Sequence, residues 1–205
     1  MSCCDCKVFA CVKGGELPAG CTTGLCAPDA REHVLDLYLN TGARPVMEVA
    51  TITSGMGIKH KWPRLREVVF FAHEMGVKRI GIASCSTYYR EVPVLANMLR
   101  EEGFEVIGAM CKMATIRRSD VGMAEDPEKP DSIICNPIMQ AEALNNAGVD
   151  MNIVVGLCVG HDMLFTKHSE ALCTTLVVRD QSLGGPKPFA EALAEYGYNT
   201  EGDTR

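Results

Sequence analysis

Apolar positions along this chain fall into two alternating rhythms. Leu65, Val68, Val69, Ala72 and Met75 recur at helical spacing, and Gly76 stands where a C-terminal helix cap is expected. The following run, Val77 to Ser84, is short and largely apolar. It reads as a buried strand and ends at Cys85. The unit then recurs: a helix carrying Val92, Leu95, Ala96 and Leu99 closes at Gly103, and a strand from Phe104 to Met110 ends at Cys111. Pro137 to Ala147 is predicted helical with Gly148 behind it, and a strand over Asn152 to Leu157 ends at Cys158. A last strand, Thr174 to Val178, precedes a helix near Pro188 to Tyr196. Upstream, Asp29 is placed to cap a helix reaching Asn40 with Val34, Leu37 and Tyr38 on its buried side. Helices alternating with buried strands predict an α/β fold: a small, mostly parallel, Rossmann-like sheet with flanking helices. The polar, aperiodic stretch from Lys112 to Ser132 is long for a loop inside such a domain, and loops of that kind are often functional lids.

The first 27 residues follow neither rhythm. They hold six of the eleven cysteines (Cys3, Cys4, Cys6, Cys11, Cys21 and Cys26) among glycines and prolines. A segment so poor in apolar residues needs a staple, usually a metal. The expected organisation is therefore a cysteine-rich metal-binding knuckle over 1–27 and an α/β domain over 28–205. In 205 residues with net charge -6, nothing provides the basic footprint of a nucleic-acid binder. The longest apolar run, Met151 to Gly160, contains Asn152 and is too short to span a bilayer. No basic segment precedes an apolar one at the start, so a cytoplasmic location is expected, where thiols stay reduced. Eleven cysteines without disulfides point to metal.

Three times the order is helix, glycine, strand, cysteine. In a parallel sheet these cysteines emerge at one edge, where open α/β sheets bind ligands. Adjacent strands lie about 4.8 Å apart, so thiols on neighbouring strand ends are within reach of one metal centre. Cys135 joins them, because Pro137 suits the first turn of the next helix and a helix N-terminus favours thiolate. Cys85, Cys111, Cys135 and Cys158 thus form a candidate four-thiolate site, with His161 as an added ligand or supporting donor beside Asp162. Asp162 reads equally as a favourable charge at a helix start. Cys173 opens a strand and reads as packing, and Arg117-Arg118 as a solvated pair or an anion contact. In the knuckle, Cys3, Cys6, Cys11 and Cys21 offer four ligands of the kind that suits zinc or iron–sulfur centres, with Cys4 and Cys26 in reserve. A rival reading takes Gly156-Leu157-Cys158-Val159-Gly160 as a nucleophile elbow, making Cys158 the nucleophile of a hydrolase. The expected late histidine is missing, since His168 is the last in the chain.

Cys3-x2-Cys6-x4-Cys11, Cys111-Lys112, Cys135-Asn136-Pro137-Ile138-x-Gln140-Ala141-Glu142 and Gly156-Leu157-Cys158-Val159-Gly160-His161-Asp162 together resemble a family of predicted metal-binding proteins of anaerobic bacteria and archaea, domain of unknown function 1847. The resemblance covers nearly the whole chain and implies metal binding at cysteines, without naming a reaction. It departs at one place. Where the family tends to read Asp-Arg-x-x-Gly-His-Asn-Pro, this chain has Asp180-Gln181-Ser182-Leu183-Gly184-Gly185-Pro186, and the usual histidine is missing. The expectation is an iron–sulfur cluster at the sheet edge, acting in redox or small-molecule binding with a redox partner protein or a small ligand. A second cluster or a structural zinc is expected in the knuckle. The alternative is a structural-zinc module without catalysis.

Overall fold

A computed structural model describes residues 3–123, 126–183, 185–195 and 197–198. The chain divides into two compact units, Met1–Thr51 and Ile52–Arg205, each described here by itself. The first unit contains single helical turns at Cys3–Asp5 and Thr22–Leu25, a four-residue helix α1 (Ala10–Lys13), and α2 (Ala30–Asn40). Helix α3 (Ala43–His60) carries the chain from this unit into the next. The expected helix after Asp29 is present, but its expected buried side is not. Val34, Leu37 and Tyr38 are 46%, 40% and 39% exposed, and no residue of α2 is buried. Helix α3 had no clear signature. Thr51, Thr53, Gly55 and Gly57 are weak helix formers, and its apolar residues make no sustained stripe.

The second unit runs α4 (Arg64–Glu74), β1 (Arg79–Ser84), α5 (Glu91–Glu101), β2 (Glu105–Met110), α6 (Pro137–Asn146), β3 (Met151–Val155), α7 (His161–His168), β4 (Leu172–Val177) and α8 (Lys187–Glu195). The last expected helical residue, Tyr196, lies outside the described residues. The sheet has the order β2-β1-β3-β4, and every pairing is parallel. β1 and β3 lie in the middle and are almost wholly buried, so they read as apolar runs, whereas the flanking β2 and β4 are partly exposed. This is the expected Rossmann-like α/β architecture.

The order of the strands decides where a ligand belongs. From β1 the chain steps outward to β2, returns past β1 to β3, and then steps outward the other way to β4. Right-handed crossovers put α5 on one face and α6 with α7 on the other. The packing agrees, because α6 lies against α7 and α5 against α8. The direction of winding therefore reverses between β1 and β3, and the crevice beyond the carboxyl ends of these two strands is the topological switch point.

The segment from 112 to 132 is tied to itself. Arg117 bridges to Ile133, its guanidinium donates to the Asp131 carbonyl at 3.0 Å, and Ser119 Oγ donates to Asp131 Oδ1 at 2.6 Å. Arg117 is thus engaged within its own loop and not aimed at the sheet edge. Among the described residues, no helix is long and apolar enough to cross a membrane.

Candidate thiol centre at the carboxyl edge of the sheet

β1 and β2 pair in register through Ser84 and Met110, so Cys85 and Cys111 leave the sheet side by side. Both are buried, and each thiol is the largest influence on the other's acidity. Thr87 Oγ1 donates to Cys85 Sγ at 3.1 Å, and the Ser86 amide donates to Cys111 Sγ at 3.4 Å. Cys158 follows β3, but not directly. The strand ends at Val155, Gly156 turns the chain with φ 64°, and the thiol comes three residues beyond the strand instead of one. It nevertheless returns to the same place, because Arg179 Nη1 donates to Cys85 Sγ at 3.0 Å and to Cys158 Sγ at 3.2 Å.

Arg179 itself is oriented. The side-chain oxygen of Gln181 accepts from its Nε at 2.9 Å and its Nη2 at 2.8 Å, so the remaining nitrogen faces the two thiols. Cys135 is positioned through the backbone. The Asn136 amide donates to the Cys111 carbonyl at 2.6 Å, and the Asn136 side chain caps α6 by accepting from the Met139 amide at 3.1 Å. Beneath the thiols lies Gln140 of α6, which is fully buried. Its Nε2 donates to the Ala109 carbonyl at 2.6 Å and to the Ser84 carbonyl at 3.2 Å, clamping the ends of β1 and β2 together. Its Oε1 is buried and has no hydrogen-bond partner.

These contacts separate the two buried thiols in acidity. The hydrogen bond from Cys111 lowers Cys85 most, with Thr87 and the Arg179 charge adding to it against the opposing effect of burial. Cys111, as the donor in that bond and buried, is held far above the usual thiol range, and the nearby Cys135 adds to this. Electropositive, hydrogen-bonded surroundings of this kind are what favour thiolate.

The four sheet-edge cysteines expected together thus lie at one edge, with Cys85 and Cys158 linked by hydrogen bonds through Arg179. Among the described residues, however, no three or more His, Cys, Asp or Glu side chains already stand as a metal-binding group. The Arg179 nitrogen is shared between Cys85 and Cys158. The hydrogen bond between His161 and Cys158 is a backbone one, the His161 amide donating to the Cys158 carbonyl at 3.0 Å. Asp162 Oδ1 accepts from the Gly160 and Met163 amides at 3.0 and 2.8 Å, which is the helix-start role. The nucleophile-elbow geometry is not seen. Cys158 is not among the residues with positive φ, and its thiol meets an arginine and not a histidine. Cys173 is half-buried against the core, as a packing residue should be.

In the first unit, the Cys3 amide donates to Thr22 Oγ1 at 3.2 Å, and the Cys6 amide to the Cys3 carbonyl at 3.3 Å. These bonds bring the first cysteines to the turn that follows Cys21. Cys21 Sγ is hydrogen-bonded to Thr23 Oγ1 at 3.5 Å, which holds its thiol below the usual range. Cys11 lies exposed on α1.

Residues 22–176 match the profile of a family described as proteins of unknown function, DUF1847. The chain belongs to this family. An uncharacterized protein of the archaeon Methanocaldococcus jannaschii is 34% identical over 183 residues, which are 89% of each chain. No solved structure matches. The profile takes in all four sheet-edge cysteines but not Arg179, and Arg179 and Gln140 are the residues that sequence reasoning missed. Arg179 had one signal, which is its place just beyond β4, at the edge where the other strands are followed by cysteine.

Proposed function

We propose that this DUF1847 chain is a metal-binding protein whose sheet-edge cysteines, Cys85, Cys111, Cys135 and Cys158, hold an iron–sulfur cluster used in electron transfer or in binding a small molecule. In the same reading, Cys3, Cys6, Cys11 and Cys21 hold a second cluster or a structural zinc. The supporting observation is the gathering of thiols from separate strand ends around one guanidinium at the switch point. The donor set fits such a group: four thiols, none in a disulfide, and soft sulfur ligands select iron–sulfur centres or zinc over hard cations. When bound, the group would supply the redox or Lewis-acid chemistry. The chain's own residues do the rest. Arg179 offsets the negative charge that several thiolates accumulate, Gln181 keeps it in place, and Gln140 fixes the spacing of the strand ends that carry Cys85 and Cys111. The unpartnered Gln140 Oε1 marks this end of the sheet as one whose polar groups are not all used within the chain.

Anaerobically prepared protein, analysed for iron, zinc and sulfide alongside its visible spectrum, tests this. The expected result is broad absorbance that dithionite bleaches and that Cys158→Ala removes, with a separate contribution lost in Cys6→Ala. Colourless protein holding stoichiometric zinc after iron-replete anaerobic expression would overturn the iron–sulfur reading in favour of a structural-zinc module.

A further inference from the structure

We propose that Cys85 and Cys111 form a dithiol–disulfide couple, a thiol-exchange site for small disulfides that works without a metal. Three features carry this. The two residues directly follow an in-register pair of neighbouring parallel strands, and such positions lie about 4.8 Å apart, inside the Cα range that a disulfide spans without backbone movement. Each strand end is held by a donor from Gln140, which fixes the spacing of the two residues. The two thiols are also unlike: Cys85 takes a hydroxyl from Thr87 and a guanidinium nitrogen from Arg179, whereas Cys111 takes the Ser86 amide at 3.4 Å and, among the described residues, no guanidinium. Cys85 is thus placed to attack and Cys111 to resolve. Cys158 is less suited to pair with Cys85, because the two are joined through Arg179.

The exchange balances with a low-molecular-weight disulfide as oxidant. The Cys85 thiolate attacks one sulfur of RSSR, the S–S bond breaks, and one RS⁻ leaves. Cys111 gives its proton to that thiolate, making RSH, and its sulfur then displaces the second RS⁻ from Cys85. The chain's two sulfurs are oxidised by two electrons, and the small disulfide is reduced to two thiols, the second RS⁻ taking its proton from water.

Trypsin cleaves after Arg79, Arg90, Arg100 and Lys112, so Cys85 and Cys111 fall in separate peptides with one cysteine each. The full-length protein is treated with oxidised glutathione, both as purified and after chelation, and mapped by non-reducing mass spectrometry. Metal content is measured in parallel. The expected product is peptide 80–90 joined to peptide 101–112, two hydrogens lighter than the separate peptides and released by dithiothreitol. Cys85→Ser abolishes it. Cys111→Ser leaves glutathione trapped on Cys85, whereas Cys173→Ser changes nothing. Pairing of Cys85 with Cys158, or a folded chelated protein in which the two peptides stay unlinked, would overturn the proposal. The metal reading fails separately, when the purified protein carries no metal whether or not the bond forms.

Discussion

Where its strands begin, the sheet is closed by charges that satisfy one another; where they finish, it is lined by thiols and a buried amide. At the first end, Asp150 Oδ2 accepts the Lys78 and Arg79 amides, both at 2.8 Å. Arg79 donates to Glu105 Oε2 at 2.9 Å and to the Ala147 carbonyl at 2.6 Å. At the other end the arginine is Arg179, whose partners among the described residues are two cysteines and Gln181 and no carboxylate. The two ends share strands and register, so the strands themselves do not account for the difference. Topology does: the direction in which the connections wind reverses between β1 and β3, which places the switch point at the carboxyl end. The residues that follow the strands therefore stand at the end where open α/β sheets bind ligands, whereas Asp150, Arg79 and Glu105 at the other end satisfy one another.

Two glycines that bracket β3 test this contrast most strongly. Gly148 and Gly156 have φ 61° and 64°, so an alanine at either is strained by about 1–2 kcal/mol. Their surroundings differ. A Cβ at Gly148 would meet only Arg79 Nη1 at 3.6 Å, an ordinary contact. A Cβ at Gly156 would overlap the ring of Tyr88, which is fully buried and belongs to the turn just after Cys85. Forcing that ring aside adds overpacking of about 1–3 kcal/mol. In urea unfolding, Gly148→Ala is expected to cost about 1 kcal/mol and Gly156→Ala about 3 kcal/mol or more, the latter also disturbing Cys85. Equal losses would mean that the packing difference between the two ends is not as described.

The same contrast explains what could be read from the sequence. The carboxyl edge was legible because its unit repeats: helix, glycine, apolar run, cysteine recurs at Cys85, Cys111 and Cys158, and the central strands are buried on both faces. Arg179 carried no such repetition. It is a single polar residue whose contact with Cys85 spans 94 positions, and only the folding of β4 beside β3 brings it there. Helix α3 was missed because glycines and threonines interrupt it. Val34, Leu37 and Tyr38 were misjudged because helical spacing predicts a stripe but not what covers it. Four thiols at one edge followed from pattern, whereas the bridging of Cys85 and Cys158 by Arg179 depends on rotamers that pattern does not encode.

Asp150 offers a smaller effect with a defined pH dependence. Hydrogen bonds from the Arg79 and then the Lys78 amide hold its carboxyl below the usual range. A folded-state value depressed in this way contributes stability that is present above the unfolded value, near 3.9, and lost as pH falls through the folded one. Asp150→Ala should therefore cost about 1 kcal/mol at pH 7, and the gap from the parent protein should shrink as pH drops below about 4. Thermal unfolding at pH 7, 5 and 3 checks this. A gap that stays constant across these values would assign the loss to the side chain's bulk and not to its charge.

The smallest effect belongs to the ion pair at the same end, and its size bears on Arg179. Arg79 and Glu105 face each other in register on β1 and β2, but their side chains are 38% and 61% exposed. An exposed pair is worth less than about 1 kcal/mol and is screened by salt, so Glu105→Gln should lower stability by a few tenths of a kcal/mol, vanishing near 1 M NaCl. Arg79 would lose little even then, since the Ala147 carbonyl still holds it. Arg179 has no such spare partner on its thiol-facing side. Its one nitrogen there serves Cys85 and Cys158 together, so Arg179→Gln removes the only cation that contacts those thiols among the described residues. If the ends differ in function, Glu105→Gln leaves the alkylation rate of Cys85 unchanged while Arg179→Gln lowers it, because less of the thiol is ionised. Alkylation rates of peptide 80–90 that respond equally to both variants would erase the distinction between the two ends of the sheet.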